Sequence, residues 1–277
     1  REIMHDKNKI KAAVLGASGV VGQHFVRLLA GHPYFDLVYI SSSGKNLGRK
    51  FGELSLWDAE DRAPGSVNGL EFKAADPDAL KEAGVRVVFS ALPAKTAGPL
   101  ESEIRARGMA VFTNSSSHRM DPDVPIVVPE VNPEHLGLTR TQVEKHTGFI
   151  VSGSNCCTAG LALAIKPAMA WGIDSVRVTT FQSISGAGRS GLGAFDIAGN
   201  LIPYIKDEEE KIGKEAPRIL GALHGSRLVP ADFMVRASCV RVPVREGHLL
   251  DVELGLRTAP PAERLIEVFT SFRGAHA

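Results

Sequence analysis

The segment SGSNCCTAGLALAI sets two cysteines, Cys156 and Cys157, at the start of a small, apolar run that reads as a helix. Unpaired N–H groups and the macrodipole at a helix N-terminus favour a thiolate, and a thiol of lowered pKa is a nucleophile at neutral pH. Taken alone, the pair reads more readily as two small cysteines packed in a core, because cysteine is among the most buried residue types. A second chemistry-bearing stretch is GASGVVG, whose Gly16, Gly19 and Gly22 follow the apolar run IKAAVL and precede a helical stripe at Val21, Phe25, Leu28 and Leu29. A strand–glycine turn–helix of this kind lets a pyrophosphate approach the backbone and meet the free N–H groups of the helix, so Gly16, Ser18, Gly19, Val20 and Val21 are its expected contacts. After the second strand, where an NAD site places an acid for the ribose, the chain reads ISSSGKNLGRK. Ser41, Ser42, Ser43, Lys45, Arg49 and Lys50 with no carboxylate suit a 2′-phosphate, hence NADP, or else form a solvated basic loop.

These groups need a scaffold, and 277 residues at roughly 150 per domain suggest two domains. Thirty-two Lys and Arg against 31 Asp and Glu leave a net charge of +1, which argues against a nucleic-acid or membrane-surface partner. With 44% hydrophobic and 23% charged residues the chain is of ordinary globular composition, not a disordered one. Three cysteines make no disulfide framework, which favours a reducing, cytoplasmic setting. No His, Cys or carboxylate cluster has ligand spacing, so no metal is expected. No run reaches the roughly 18 apolar residues of a membrane span, and REIMHDKNK does not read as a signal peptide.

Strand candidates at 10–15, 37–40, 85–90 and 110–113 alternate with the helix that carries the Val21, Phe25, Leu28 and Leu29 stripe and with one at 95–107, the pattern of a parallel, Rossmann-type α/β sheet. The Gly-, Asp- and Pro-rich loop 48–69 is expected outside that sheet. From about Ser152 the character changes to a small-residue helix over 157–170, a β-branched run over 175–185, a helix over 207–220 and strands at 234–244 and 249–256. This second part reads as an antiparallel or mixed sheet with helices packed on it, an α+β domain. The boundary is set between 1–152, nucleotide binding, and 153–277, catalysis and dimerisation.

In order along nearly the whole chain, GASGVVG, NSSSHRM, PEVN, SNCCT, FQSISGAG, EEEK and RVPVREGH resemble the archaeal and fungal branch of the aspartate-semialdehyde dehydrogenases. The resemblance implies that Cys156 is the nucleophile and Cys157 a packed neighbour, that Gln182 orients the acyl-enzyme, and that His248 is the acid/base. It further implies that Arg241 clamps the substrate carboxylate, and that Arg119 with Asn114 holds phosphate. Glu208 would bind the substrate ammonium and Lys211 the phosphate, while Gly186 and Gly188 would lie beside the nicotinamide. Without the resemblance, DEEEKIGKE is a solvated helix start and His248 an exposed turn residue.

The reaction so implied is NADP-dependent reductive dephosphorylation of L-aspartyl 4-phosphate to L-aspartate 4-semialdehyde through a cysteine thioester, with phosphate as co-substrate in reverse, in aspartate-family amino-acid biosynthesis. Relatives that reduce malonyl-CoA carry similar motifs, so an acyl-CoA thioester reductase is the alternative, and a non-catalytic nucleotide-binding fragment a third reading. The resemblance also implies a homodimer or homotetramer through the catalytic domain, and a further segment beyond SFRG that completes the catalytic sheet and is absent from this sequence. Arg189 and Ser190 in GAGRSG depart from the family pattern.

Overall fold

The computed structural model describes residues 9–54, 57, 64–188 and 191–275. Packing divides the chain into two compact units: one takes in the chain up to Val124 together with Thr139–Ser152, the other Pro125–Leu138 and the chain from Gly153 onward. In the first, β1 (Ile10–Leu15), α1 (Val20–Leu29), β2 (Phe35–Ser41), β3 (Phe72–Lys73), α2 (Pro77–Glu82), β4 (Val87–Ser90), α3 (Ala94–Ala106) and β5 (Ala110–Thr113) follow one another. After β6 (Ile126–Val127), whose residues belong to the second unit, come α4 (Leu138–His146) and β7 (Phe149–Gly153). The sheet runs β3-β2-β1-β4-β5-β7, all parallel. Ala12 to Leu15 are fully buried, as expected of a central parallel strand covered on both faces. The chain winds outward from β1 to β3 and then crosses to β4, so the topological switch point lies between β1 and β4, beside the glycine turn.

Gly16 has φ +75°, and a Cβ there would stand 2.9 Å from the Ala91 carbonyl oxygen. At Gly22 a Cβ would fall 2.0 Å from the Gly16 oxygen and 2.7 Å from Ala17 Cα, so α1 lies directly on the turn backbone. That contact sets the rotation of the helix. The expected stripe at Val21, Phe25, Leu28 and Leu29 is corrected: α1 buries Gly22, Gln23, Val26 and Leu29, and Val21 and Leu28 are exposed. A Gly22→Ala substitution is expected to destabilise the protein by about 3 kcal/mol, the cost of overpacking against unyielding backbone. Chemical denaturation checks this, and a wild-type midpoint for the variant would sink it.

In the second unit α5 (Cys156–Ile165) is followed by β8 (Ile173–Gln182), α6 (Ala194–Ile197), α7 (Glu208–Ile219), the hairpin β9 (Ala222–His224) and β10 (Arg227–Val229), then β11 (Met234–Arg241), β12 (Leu249–Leu256) and α8 (Ala262–Ser271). The helix expected over 157–170 begins one residue earlier, on its Asn155 cap, and tightens into a 3-10 turn over Lys166–Trp171. The sheet order is β11-β8-β12. Because β8 pairs in parallel with β11 and antiparallel with β12, the sheet is mixed, not purely antiparallel. The long return from β8 through α7 permits the parallel pairing, which a hairpin cannot make. Val176, Val178 and Cys239 of one sheet face pack with Leu161 and Ile165 of α5 and Ile212, Ala216 and Ile219 of α7. No helix among the described residues is long and apolar enough to cross a membrane.

Candidate active site

The mixed sheet brings distant residues to one edge. As β8 and β11 run the same way, their C-terminal ends coincide, with Arg241 in register with Gln182. Since β12 runs the opposite way, it begins at that same edge, with Leu249 opposite Phe181, so His248 arrives next to Gln182 and Ser183. The N-terminus of α5 meets them: His248 Nε2 lies 3.2 Å from Cys156 Sγ. Cys156 is exposed and Cys157 buried behind it.

Asn155 caps α5, its Oδ1 accepting from the N–H groups of Cys157 (3.0 Å) and Thr158 (3.2 Å). Its own N–H donates to Glu215 Oε2 at 2.7 Å and its Nδ2 to Glu208 Oε2 at 2.7 Å. Glu208 and Glu215 are seven residues, two turns, apart on α7 and share its inward face. Glu208 also accepts from Lys211 Nζ at 2.9 Å and from Gln182 Nε2 at 3.4 Å. Burial alone would raise its pKa, but the Lys211 ammonium and the Asn155 and Gln182 amides outweigh burial and hold the carboxyl below its ordinary value.

A hydrogen bond from the Cys157 thiol, with another from His248, brings the Cys156 thiol down to about 6 against burial and the Glu208 charge. Cys157 is pushed far up by that same bond and by burial, so it remains a thiol and a donor. At about pH 5 Cys156 is largely protonated and unreactive; the thiolate fraction reaches one half near pH 6 and about nine-tenths at pH 7. Alkylation by iodoacetamide should therefore rise with pH to a plateau with a midpoint near pH 6, moving to higher pH in His248→Ala. A wild-type midpoint above pH 8 would overturn this. Along the chain Cys156, Cys157 and His248 have no ligand spacing; folded, their Sγ atoms and a ring nitrogen lie within 4.8 Å of one another.

Arg241, buried, donates from Nη1 to the Ser183 carbonyl at 2.6 Å. A Cβ on Gly186 would stand 2.9 Å from that Nη1 and 3.7 Å from His248 Cε1, so glycine here leaves room for both side chains. Gly188 has φ +72° and open space around it. Arg189 and Ser190 lie outside the described residues.

The remaining candidates belong to the first unit. Gly19 caps α1 without a side-chain bond, and Gly16 N–H meets Ser41 Oγ at 3.3 Å. Ser18 Oγ pairs with Ser42 Oγ at 2.6 Å, Val20 opens α1 and Val21 is exposed on it. Ser43 caps a short turn, while Arg49 Nη2 donates to the Glu53 carbonyl and the Lys50 N–H to the Glu53 carboxylate. Arg119 is buried and donates from Nη2 to the Asn114 carbonyl at 3.0 Å, fastening the serine loop that carries both. Sequence reading missed Asn155, Glu215 and Ser183. An Asn immediately before a helix is a cap signal, and Glu215 stands two turns from Glu208, but neither motif announces that both carboxylates meet the same asparagine.

The family description "Semialdehyde dehydrogenase, NAD binding domain" matches residues 11–139, and "Semialdehyde dehydrogenase, dimerisation domain" matches residues 165–276. The aspartate-semialdehyde dehydrogenase of Archaeoglobus fulgidus is 42% identical over 87% of this chain and 70% of that protein. The chain belongs to the aspartate-semialdehyde dehydrogenase family. The Saccharomyces cerevisiae member is 39% identical over 90% of this chain and 72% of its own length. The crystal structure of the Candida albicans member with NADP superposes with a TM-score of 0.87 at 36% identity, covering 96% of this chain and 77% of that one. The family's nucleotide-binding and dimerisation descriptions thus fall on the parallel-sheet part and the mixed-sheet part of the chain.

Proposed function

We propose that this chain catalyses the NADP-dependent reductive dephosphorylation of L-aspartyl 4-phosphate to L-aspartate 4-semialdehyde through a thioester on Cys156. The observation that carries the reading is a low-pKa thiol at a capped helix N-terminus, 3.2 Å from an imidazole nitrogen. Cys156 Sγ attacks the acyl carbon, the bond to the phosphate oxygen breaks, and phosphate leaves with the electron pair. NADPH, when bound, supplies the hydride that reduces the thioester carbonyl. His248 donates from Nε2 to the oxygen as charge develops there; on collapse of the tetrahedral thiohemiacetal the hydroxyl proton returns to Nε2, the C–S bond breaks, and Cys156 leaves as a thiolate.

Arg241 offers its guanidinium to the substrate carboxylate, Glu208 its carboxylate to the ammonium, Gln182 its amide to the acyl group, and Lys211, Arg119 and Asn114 hold phosphate. The glycine cradle fits a dinucleotide: positive φ at Gly16, no room for side chains at Gly16 and Gly22, and a helix start with no side-chain cap. Ser41 and Ser43 with Arg49 and Lys50, and no acid among them, favour NADP over NAD. Gly186 and Gly188 would flank the nicotinamide.

The first part of the chain, 1–152, is read as the nucleotide-binding domain and 153–277 as the catalytic and dimerisation domain. A homodimer or homotetramer is supported by the sheet face that carries Arg177, Arg236, Asp251 and Glu253 together with exposed Met234 and Leu249. Three free thiols suit the cytoplasm.

The test is NADP reduction by L-aspartate semialdehyde with and without inorganic phosphate. Turnover that requires phosphate is expected. Turnover indifferent to phosphate, or none, would overturn the assignment, and NADPH oxidation by malonyl-CoA would point to the thioester reductase instead.

A further inference from the structure

His248 meets one residue with its far nitrogen. The Ser183 backbone N–H points at Nδ1 from 3.1 Å, and Ser183 Oγ lies 3.2 Å from the same atom. An amide N–H can only donate, so Nδ1 must accept, and the proton of the neutral ring then sits on Nε2, the nitrogen that faces Cys156 Sγ. Ser183 is fully buried, and its hydroxyl is in turn 3.0 Å from Ser185 Oγ. The carbonyl of the same residue accepts from Arg241 Nη1 at 2.6 Å. The groups around the ring are the Cys156 and Cys157 thiols on one side, and Arg241 with the Gly186 backbone on the other.

We propose that Ser183 is a positioning residue for the reaction: its N–H and hydroxyl on Nδ1 fix the His248 tautomer that presents Nε2–H to the thiolate and to the substrate oxygen, and its carbonyl ties that ring to the arginine that holds the substrate carboxylate. The proposal rests on the assignment of His248 as acid/base. The tautomer follows from the amide; the hydroxyl adds a second donor to Nδ1 and restrains rotation of the ring about its Cβ–Cγ bond, so that Nε2 stays aimed at Sγ. Ser185, with its hydroxyl beside that of Ser183, keeps the rotor satisfied when the Ser183 proton turns toward the ring.

Ser183→Ala removes the hydroxyl and leaves the amide and carbonyl in place. Kcat for semialdehyde oxidation should fall about tenfold, the effect of one lost hydrogen bond on a catalytic group, with KM for semialdehyde and phosphate within about twofold of wild type. The midpoint of Cys156 alkylation should move to higher pH, because a loosened ring stabilises the thiolate less. A purely structural role would lower thermal stability and the yield of active enzyme without moving that midpoint. Wild-type kcat and midpoint in Ser183→Ala would overturn the proposal, whereas absent phosphate-dependent turnover in the wild type would instead overturn the functional assignment.

Should Ser183→Ala not fold, ring-15N histidine NMR of the wild-type protein answers the same question, the His248 signals being those lost in His248→Gln. At pH 8 Nε2 should be the protonated nitrogen and Nδ1 the bare one. The opposite tautomer would overturn the proposal.

Discussion

Cys156→Ser should lose phosphate-dependent turnover by about 10⁴-fold or more while NADP affinity stays within about twofold. Serine keeps the size and the place on the Asn155-capped helix, so the fold is undisturbed. What disappears is ionisation: Cys156 is a thiolate at neutral pH because Cys157 and His248 both stabilise the charge on sulfur, bringing its pKa to about 6. An alcohol in the same place stays protonated, and its oxygen is a far poorer nucleophile without a strong base. His248 cannot substitute as that base in its resting tautomer, since Nδ1 accepts from the Ser183 amide and Nε2 therefore carries the proton. Effects of residues that act as a unit are not additive, so Cys156→Ser combined with His248→Gln should be scarcely worse than Cys156→Ser alone. The measurement is steady-state turnover beside NADP binding by fluorescence. Residual activity within about 100-fold of wild type would sink the nucleophile assignment.

Asn155→Ala should cost about 3 kcal/mol of stability and about 100-fold in kcat/KM. Loss of the cap accounts for about 1 kcal/mol. The remainder comes from one carboxylate: Glu208 loses its 2.7 Å donor, whereas the backbone N–H of residue 155 keeps its bond to the buried Glu215. Since Asp is ordinarily as good a cap as Asn, Asn155→Asp distinguishes a simple cap from the junction seen here. An Asp would still cap, but its carboxylate would face Glu208, whose pKa is already held down and which stays ionised at neutral pH. Asn155→Asp should consequently be at least as impaired as the alanine variant at pH 7. Thermal melts and steady-state kinetics of the two variants check this. Recovery of wild-type activity by Asp would show that the side chain acts only as a helix cap.

Both variants probe parts of the site that were legible to different degrees. The glycine turn, the helix start at Cys156 and the alternation of strands with helices are local: a left-handed glycine, a capping side chain and an apolar period are set by residues within a few positions of one another, so each can be read along the chain. The apolar residues of α1 do not give its rotation, because the deciding contact is Gly22 on the Gly16 carbonyl, where the absence of a side chain, not its presence, selects the buried face. Ser183 and Glu215 have no motif of their own. Their roles exist only once β8, β11 and β12 are paired.

By itself, the sequence determined the class of fold, the dinucleotide turn and the thiol that could act as nucleophile, and through its motifs the family. The tertiary structure decided the convergence. His248 stands 92 residues from Cys156 along the chain and 3.2 Å away in space. Two strands in parallel and one antiparallel bring their active ends to a single sheet edge, and a switch of direction in β12 would carry His248 to the far edge. Strand direction and register are nonlocal choices, made by which faces can be buried together, and no spacing along one chain encodes them directly.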